Sequence, residues 1–194
     1  MSKTGRFKIY MDAPLITGKK VYLRGVRPQD VNENYLRWMN DPEVTRFLEI
    51  RYMPRSLENI RKFVESMDGN PNEILLAICL KKDGSHVGNI KLGPINRVHR
   101  FADVSLVIGE KSARGKGIGT EAISLMSRFA FNVLNIHKLR AGCYSDNKGS
   151  AKAFLRAGFM QEGVLKKQWE TGGRFQDELL FGLCREDAPE ELLE

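Results

Sequence analysis

The spacing of hydrophobic positions changes several times along the chain, and each change indicates a different element. Apolar and polar side chains alternate over 19–26, as in a half-buried strand. Pro28 and Asp30 then open a predicted helix that runs to about Met39 and stops at Asn-Asp-Pro. Residues 43–52 are predicted to form a loop or a short helical turn.

The next predicted helix follows Ser56, with Asn59 at the third position after this cap, and carries apolar residues at helical spacing. Three strands come after it at 73–80, 85–93 and 101–108. Because they follow one another through short turns, they are predicted to form an antiparallel meander.

The most regular amphipathic helix begins near Gly117. Its apolar stripe consists of Ile118, Ala122, Leu125, Met126, Phe129, Ala130 and Val133. Later elements are predicted to be a strand at 138–143, a helix at 147–158, and two strands around 159–169 and 174–184, which Glu-Thr-Gly-Gly-Arg joins as a hairpin turn.

The order of these elements predicts one α/β (α+β) domain. We expect a mixed, mostly antiparallel sheet of about seven strands, flanked by about four helices. Residues 1–18 would form a leader, 19–185 the folded domain, and 186–194 an acidic, solvated tail. The sequence shows no repeat and no linker that would divide the domain further.

The charge distribution narrows the kinds of ligand. The 194 residues carry a net charge of +7, and five of the acids lie after Arg185, so the body of the chain is more basic than this value indicates. Its bases are scattered rather than massed in one run, which favours a small phosphorylated ligand over nucleic acid. Neither a membrane span nor a signal peptide is evident, and a cytoplasmic protein is expected.

The thiols and imidazoles give no sign of a structural cross-link. Cys79, Cys143 and Cys184 are odd in number and far apart, and the three histidines are not at ligand spacing to them. We therefore predict buried free thiols, with neither a disulfide framework nor a zinc site.

The segment Arg-Gly-Lys-Gly-Ile-Gly at 114–119 has a glycine at every second position, directly before a helix. Glycine allows close approach of the backbone, and the unbonded amides of a first helical turn attract anions such as phosphate. Arg114 and Lys116 add positive charge. Neither the Walker loop nor the dinucleotide fingerprint has this spacing. A flexible turn that binds no ligand is the alternative.

Two motifs together resemble the GNAT superfamily of N-acyltransferases. One is this glycine loop between a strand and a long helix, which resembles the loop that binds the acyl-CoA pyrophosphate. The other is 145–163, where Asn147 opens a helix that ends at Gly158 and Phe159. The resemblance covers roughly residues 19–185. Within the superfamily, the sequence most resembles the branch of the ribosomal-protein-alanine N-acetyltransferases.

The resemblance implies acetyl-CoA as co-substrate, no metal, and two parallel neighbouring strands that splay apart at the CoA site. The backbone of 106–108 would pair with the pantetheine arm, 114–120 would hold the pyrophosphate, and Asn147 would bond the arm. The implied CoA-binding residues are Leu106, Val107, Ile108, Arg114, Gly115, Lys116, Gly117, Ile118, Gly119, Thr120, Asn147, Ser150 and Phe154.

The resemblance also implies direct transfer to an amine, which needs a base and a proton donor for the leaving thiolate. Many members carry a tyrosine seven residues after the asparagine, whereas Phe154 stands here and cannot donate a proton. Ser150 is the expected donor, with Tyr144 as a weaker candidate. Glu49, Asp103 and Glu170 are the candidate bases, although each could be an ordinary surface acid.

The expected acceptor wall is 35–51, which resembles the corresponding part of enzymes that acetylate nucleotide-linked amino sugars. An amino sugar is therefore the expected acceptor, with a protein α-amine, an antibiotic or a polyamine as the alternative. A CoA-sensing or RNA-binding protein without activity is the alternative of another class, and a homodimer is possible. The proposed substrate-binding residues, which could equally be core and ion-pair residues, are Trp38, Asn40, Phe47, Glu49 and Arg51.

Overall fold

The computed structural model describes residues 13–193, so most of the predicted leader and the last residue of the tail lie outside the described residues. One mixed sheet of eight strands runs through this part of the chain in the order β1-β2-β3-β4-β5-β6-β8-β7. Its strands are β1 (Ile16–Thr17), β2 (Val21–Gly25), β3 (Ile74–Leu80), β4 (His86–Asn96), β5 (Phe101–Ile108), β6 (Lys138–Tyr144), β7 (Met160–Thr171) and β8 (Arg174–Cys184).

The sheet has the predicted α/β (α+β) character. Strands β3, β4 and β5 form the antiparallel meander that the sequence predicts. Strands β5 and β6 are parallel neighbours, and β8 pairs with both β6 and β7 in antiparallel fashion. The additional strand is β1, a two-residue segment that pairs with β2 at the edge of the sheet.

Five α-helices cover the two faces of this sheet within residues 13–193. None of them has the length and apolar content that crossing a bilayer requires. The helices are α1 (Glu33–Asn40), α2 (Pro42–Thr45), α3 (Leu57–Met67), α4 (Ile118–Asn132) and α5 (Lys148–Arg156).

The predicted helix from Pro28 to Met39 is wrong in its first half. Pro28–Asp30 is a single 3-10 turn, and α1 begins only at Glu33. Asn32 interrupts the helix because its backbone is extended and its side chain accepts hydrogen bonds from the first amides of α1. The predicted cap of α3 is confirmed, since the side chains of Ser56 and Asn59 form a reciprocal capping box.

Each face of the sheet buries its own apolar cluster. On one face, α4 contributes Met126 and Phe131, which join Ile78, Ile90 and Val104 of the sheet in the main core. On the other face, α1 and α3 form a second cluster that includes Tyr35, Trp38 and Ile60. The predicted stripe of α4 is confirmed from Ile118 to Ala130, whose side chains pack on the sheet, but it is wrong at Val133, which follows the last residue of the helix and is 67% exposed.

The acidic tail is not wholly solvated, contrary to expectation. Leu192 is buried in the main core, and its carbonyl oxygen accepts a hydrogen bond from the side chain of Asn132 at 3.2 Å. The acids of the tail from Glu186 to Glu191 face solvent around this anchor. Burial of the apolar Leu192 side chain stabilises the segment against α4.

The three cysteines are free, although Cys184 is only half-buried. The pairing of β6 with β8 also brings together three potential metal ligands, His137, Cys184 and Glu186, whose ligand atoms lie within 4.8 Å of one another. Their spacing in the sequence gives no sign of this cluster. Because the cluster is partly exposed and His137 lies 3.5 Å from the Glu186 carboxylate, an ion pair also explains it.

The contact between Trp38 and Gly109 predicts the effect of a single methyl group. Both residues are buried, and a Cβ on Gly109 would overlap the indole ring. We expect Gly109→Ala to lower the free energy of unfolding by about 1–3 kcal/mol, because the ring must move within a packed layer. Urea denaturation measures the change.

Gly163→Ala is the matched control, because the added Cβ there meets Leu180 at an ordinary distance of 3.6 Å. It should change stability by no more than about 0.5 kcal/mol. Equal stability of Gly109→Ala and the native chain would contradict the packing described for Trp38.

Candidate active site

Strands β5 and β6 separate soon after they meet. They pair only from Phe101 to Asp103 on β5, opposite Lys138 to Arg140 on β6. Beyond that point β6 continues along β8, and a groove of about 680 Å³ opens beside residues 104–108. The β5 backbone groups that face the groove have no strand partner there. Such groups require hydrogen bonds, which an extended ligand with amide groups can supply.

The glycine loop lies at one end of this groove. Gly115 and Gly117 have φ angles of +71° and +78°, a left-handed backbone conformation that favours glycine over residues with a Cβ. Gly119 already belongs to α4, whose N-cap Gly117 provides no side-chain cap. The first amides of the helix are therefore available to an anion in the groove.

Neighbouring side chains hold the loop in place. Lys20 donates a hydrogen bond from Nζ to the carbonyl oxygen of Lys116 at 2.8 Å, and its backbone amide donates to the Glu121 carboxylate at 2.8 Å. Arg114 donates from Nε to the carbonyl oxygen of Ile108 at 3.1 Å, which ties the loop to the end of β5. The loop conformation thus depends on contacts within the protein.

The first turn of α5 forms the opposite wall. Asn147 caps this helix, since its Oδ1 accepts a hydrogen bond from the Ser150 amide at 3.2 Å. Phe154 is buried and packs edge-on against Phe159 and face-on against Phe181. Two basic residues of the helix, Lys152 and Arg156, also line the groove.

A cluster of polar side chains lies on the groove side of β6. The Tyr144 hydroxyl donates a short hydrogen bond to the Glu49 carboxylate and accepts one from Arg51 Nη1 at 2.8 Å. Burial, together with the hydrogen bond to Glu49, raises the pKa of Tyr144 to about 12. The hydroxyl therefore keeps its proton at neutral pH.

Three further residues of the groove are not predicted by any pattern in the sequence. Cys143, Trp169 and Glu178 line the groove beside Tyr144, and the indole of Trp169 stacks on the Tyr144 ring at 5.4 Å. Burial raises the pKa of Glu178, and the nearby charge of Glu49 raises it further. Glu178 is the strand partner of Tyr144, a pairing between distant segments that no local pattern reveals.

A second cavity of about 510 Å³ lies on the other face of the sheet, below α1 and α3. Five residues line both the groove and this cavity, namely Leu48, Glu49, Ser105, Leu106 and Val107. The two spaces therefore meet across β5. Glu49 is the one carboxylate among these five shared residues, so it lies where ligands from the two sides would meet.

Only some of the residues expected to bind the acceptor line a cavity. Trp38 is 3% exposed and packs against the ring of His86, so it offers no stacking surface. Asn40 bonds the backbone of Arg55 through both ends of its amide. Phe47 lines the groove, with its ring 5.6 Å from that of Tyr144. Neither Trp38 nor Asn40 lines either cavity.

Arg51 is occupied by contacts within the protein. Besides Tyr144, its guanidinium donates to the Leu48 carbonyl at 3.0 Å, to the Tyr52 hydroxyl at 2.6 Å and to the Glu170 carbonyl at 2.8 Å. The pair with Glu49 that the sequence leaves open is present, although long, at 3.5 Å. A phosphate group would have to displace several of these bonds.

The other two candidate bases lie outside both cavities. The Asp103 carboxylate accepts a hydrogen bond from Arg140 Nε at 2.7 Å, at the end where β5 and β6 are still paired. Glu170 is exposed and contacts the site through its backbone carbonyl. Of the predicted CoA-binding residues, every one except Lys116 lines the groove.

Comparison with known proteins agrees with this architecture. Residues 20–160 match the acetyltransferase (GNAT) domain family. An uncharacterized N-acetyltransferase, YokL from the SPbeta prophage of Bacillus subtilis (strain 168), is 31% identical over 171 residues, which are 88% of this chain and 93% of that protein. The spermidine N(1)-acetyltransferase of Escherichia coli (strain K12) is 32% identical over 95 residues, about half of each chain.

Solved structures show the same fold. The spermidine N-acetyltransferase of Vibrio cholerae, in complex with CoA and spermine, superposes with a TM-score of 0.78 at 20% identity, over 88% of this chain and 98% of that one. RimJ of Mycobacterium smegmatis, in complex with CoA-disulfide, gives 0.77 at 23% identity, over 87% and 84%. The chain therefore belongs to the GNAT family and is an N-acetyltransferase.

Proposed function

We propose that the protein transfers the acetyl group of acetyl-CoA directly to a small primary amine, with both substrates bound at once. The observation that carries this proposal is the meeting of the two cavities across β5, beside Glu49. A donor in the groove and an acceptor in the second cavity would face each other at this strand. Such an arrangement needs no covalent intermediate on the enzyme.

Separate parts of the groove would suit separate parts of acetyl-CoA. The unpaired backbone of β5 supports binding of the pantetheine arm, whose amides can replace the missing strand. The amides at the start of α4 suit the pyrophosphate. Lys152 and Arg156 supply positive charge for the remaining phosphate.

The proton path follows from the hydrogen bonds around Glu49. As the amine nitrogen forms a bond to the acetyl carbonyl carbon, one N–H proton passes to the Glu49 carboxylate. The carbon–sulfur bond breaks, and the sulfur leaves with the electron pair. Tyr144 gives its proton to this thiolate and regains one from Glu49, so both residues end in their starting states.

The proposal specifies the acceptor only as a small primary amine. Two of the relatives described above are named for spermidine, which supports a small amine. The buried Trp38 and the occupied Arg51 do not provide the stacking surface and phosphate ligand from which an amino-sugar nucleotide is predicted. That acceptor is therefore not part of the proposal.

Release of free thiol tests the proposed reaction. Purified protein is incubated with acetyl-CoA and a panel of primary amines, and a thiol reagent monitors CoA. We expect thiol to appear only when an amine is present, with equal amounts of acetylated amine detected by mass spectrometry. If none of the amines in the panel leads to release of free thiol, the proposal is overturned.

Glu49→Gln should lower kcat by about 100-fold or more, because an amide cannot take the proton. The KM for acetyl-CoA should change by no more than about threefold, since the variant keeps the shape of the side chain. The matched control is Glu170→Gln, whose carboxylate lies outside both cavities and which should retain native kcat. Equal kcat values for the two variants would contradict the role of Glu49.

Tyr144→Phe and Ser150→Ala distinguish the two possible proton donors. The Tyr144 hydroxyl bonds Glu49, whereas the Ser150 hydroxyl is a hydrogen-bond partner of the Cys143 thiol. We expect kcat to fall by about 10-fold or more in Tyr144→Phe and by less than about threefold in Ser150→Ala. Steady-state kinetics at saturating acetyl-CoA provides the comparison, and the reverse order would assign the proton to Ser150.

A further inference from the structure

The second cavity contains a buried amide whose nitrogen lacks a partner. Asn89 lies on β4, is 3% exposed and lines this cavity. Its Nδ2 has no hydrogen-bond partner among residues 13–193. An unsatisfied buried donor costs about 1–3 kcal/mol, so its presence in a cavity wall points to a ligand that satisfies it.

The other end of this amide is held by His86. Asn89 Oδ1 lies 2.9 Å from His86 Nε2, and because an amide oxygen can only accept, the imidazole carries its proton on Nε2. Burial lowers the pKa of His86, which keeps the ring neutral. This bond fixes the orientation of the amide and directs Nδ2 away from the imidazole.

A rigid layer supports the imidazole in turn. The rings of Tyr35 and Trp38 contact His86 edge-on, with centroids 6.1 Å and 5.1 Å away. Behind them, Arg24 and Asp30 form a buried ion pair through two hydrogen bonds of 2.6 Å and 2.8 Å. The support therefore combines one cation with one anion and adds no net charge below the cavity.

The charges of the second cavity disfavour a polycation. Lys91 and Arg55 line its wall, and Lys91 is bonded to Glu73 outside the cavity. The one carboxylate in the lining, that of Glu49, lies at the junction with the groove. A second ammonium group deeper in the cavity would meet cations rather than acids.

Most of the remaining lining is apolar. It includes Ile60 and Phe63 from α3 and Leu75 from β3. Asn89 is also the direct strand partner of Val107, which lines both the groove and the cavity. Because neighbouring strands lie about 5 Å apart, Asn89 lies next to the strand at which the groove and the second cavity meet.

We propose that the acceptor is a primary amine that bears an oxygen near its amino group and an apolar substituent. The Asn89 amide donates a hydrogen bond to this oxygen, which can be a carbonyl or a hydroxyl oxygen, and the apolar wall holds the substituent. Polyamines are poor acceptors. This inference rests on the proposed acetyl transfer and adds the residue that recognises the acceptor.

Matched amines test the requirement for oxygen. L-leucinamide and 3-methylbutylamine differ only by the carboxamide group, L-leucinol offers a hydroxyl instead, and glucosamine and spermidine complete the panel. With kcat/KM expressed per neutral amine, which removes the effect of the oxygen substituent on the pKa of the amino group, we expect values at least about 10-fold higher for leucinamide or leucinol than for 3-methylbutylamine and spermidine, because the latter two leave the buried donor unpaired. Leucinamide, leucinol and glucosamine separate carbonyl, hydroxyl and sugar sources of the oxygen.

Asn89→Leu should remove this preference while turnover of 3-methylbutylamine persists, which also shows that the variant folds. Asn59→Ala removes another amide of the same cavity, one whose oxygen accepts hydrogen bonds from Ser56 at the start of α3, and should leave the preference intact. The inference is overturned if Asn89→Leu keeps the preference, if the native protein shows none, or if spermidine is the best substrate. No thiol release with any amine would instead refute the proposed acetyl transfer.

Discussion

The separation of β5 from β6 after three residue pairs is the constraint on which the site depends. A continuous parallel pair would satisfy the backbone of β5 and close the sheet. Because β6 follows β8 instead, the groove opens along β5, with the start of α4 at one end and the Tyr144 cluster beside it. In the proposed reaction, donor recognition would thus use main-chain groups, which a fold can keep while its side chains vary.

Three segments that are distant in sequence meet at Tyr144. Glu49 follows α2, Tyr144 ends β6, and the Glu170 carbonyl belongs to the β7–β8 hairpin, with Arg51 bonded to all three. The guanidinium balances the charge of Glu49 and orients the phenol. The same contacts that complete the site also close the chain around it, so the proposed proton path and the tertiary structure depend on the same residues.

Local patterns predict the donor side of the site better than the acceptor side. The glycine loop and the Asn147 cap are predicted from short segments, because a helix start and its cap are local features. In the structure both line the groove. Burial of Trp38 and the orphan amide of Asn89 depend on how α1 packs across the sheet. Tyr144 and Glu178 meet through strand pairing across more than 30 residues, which hydrophobic spacing cannot reveal.

The bonds that Lys20 makes to the glycine loop have a thermodynamic consequence. They hold the carbonyl of Lys116 and the side chain of Glu121 through groups of the protein itself, so the order of the loop does not depend on a bound anion. A nucleotide that binds there loses its own freedom but imposes little further loss on the protein. The turn between β1 and β2, which supplies Lys20, would thus order the proposed donor site before the donor arrives.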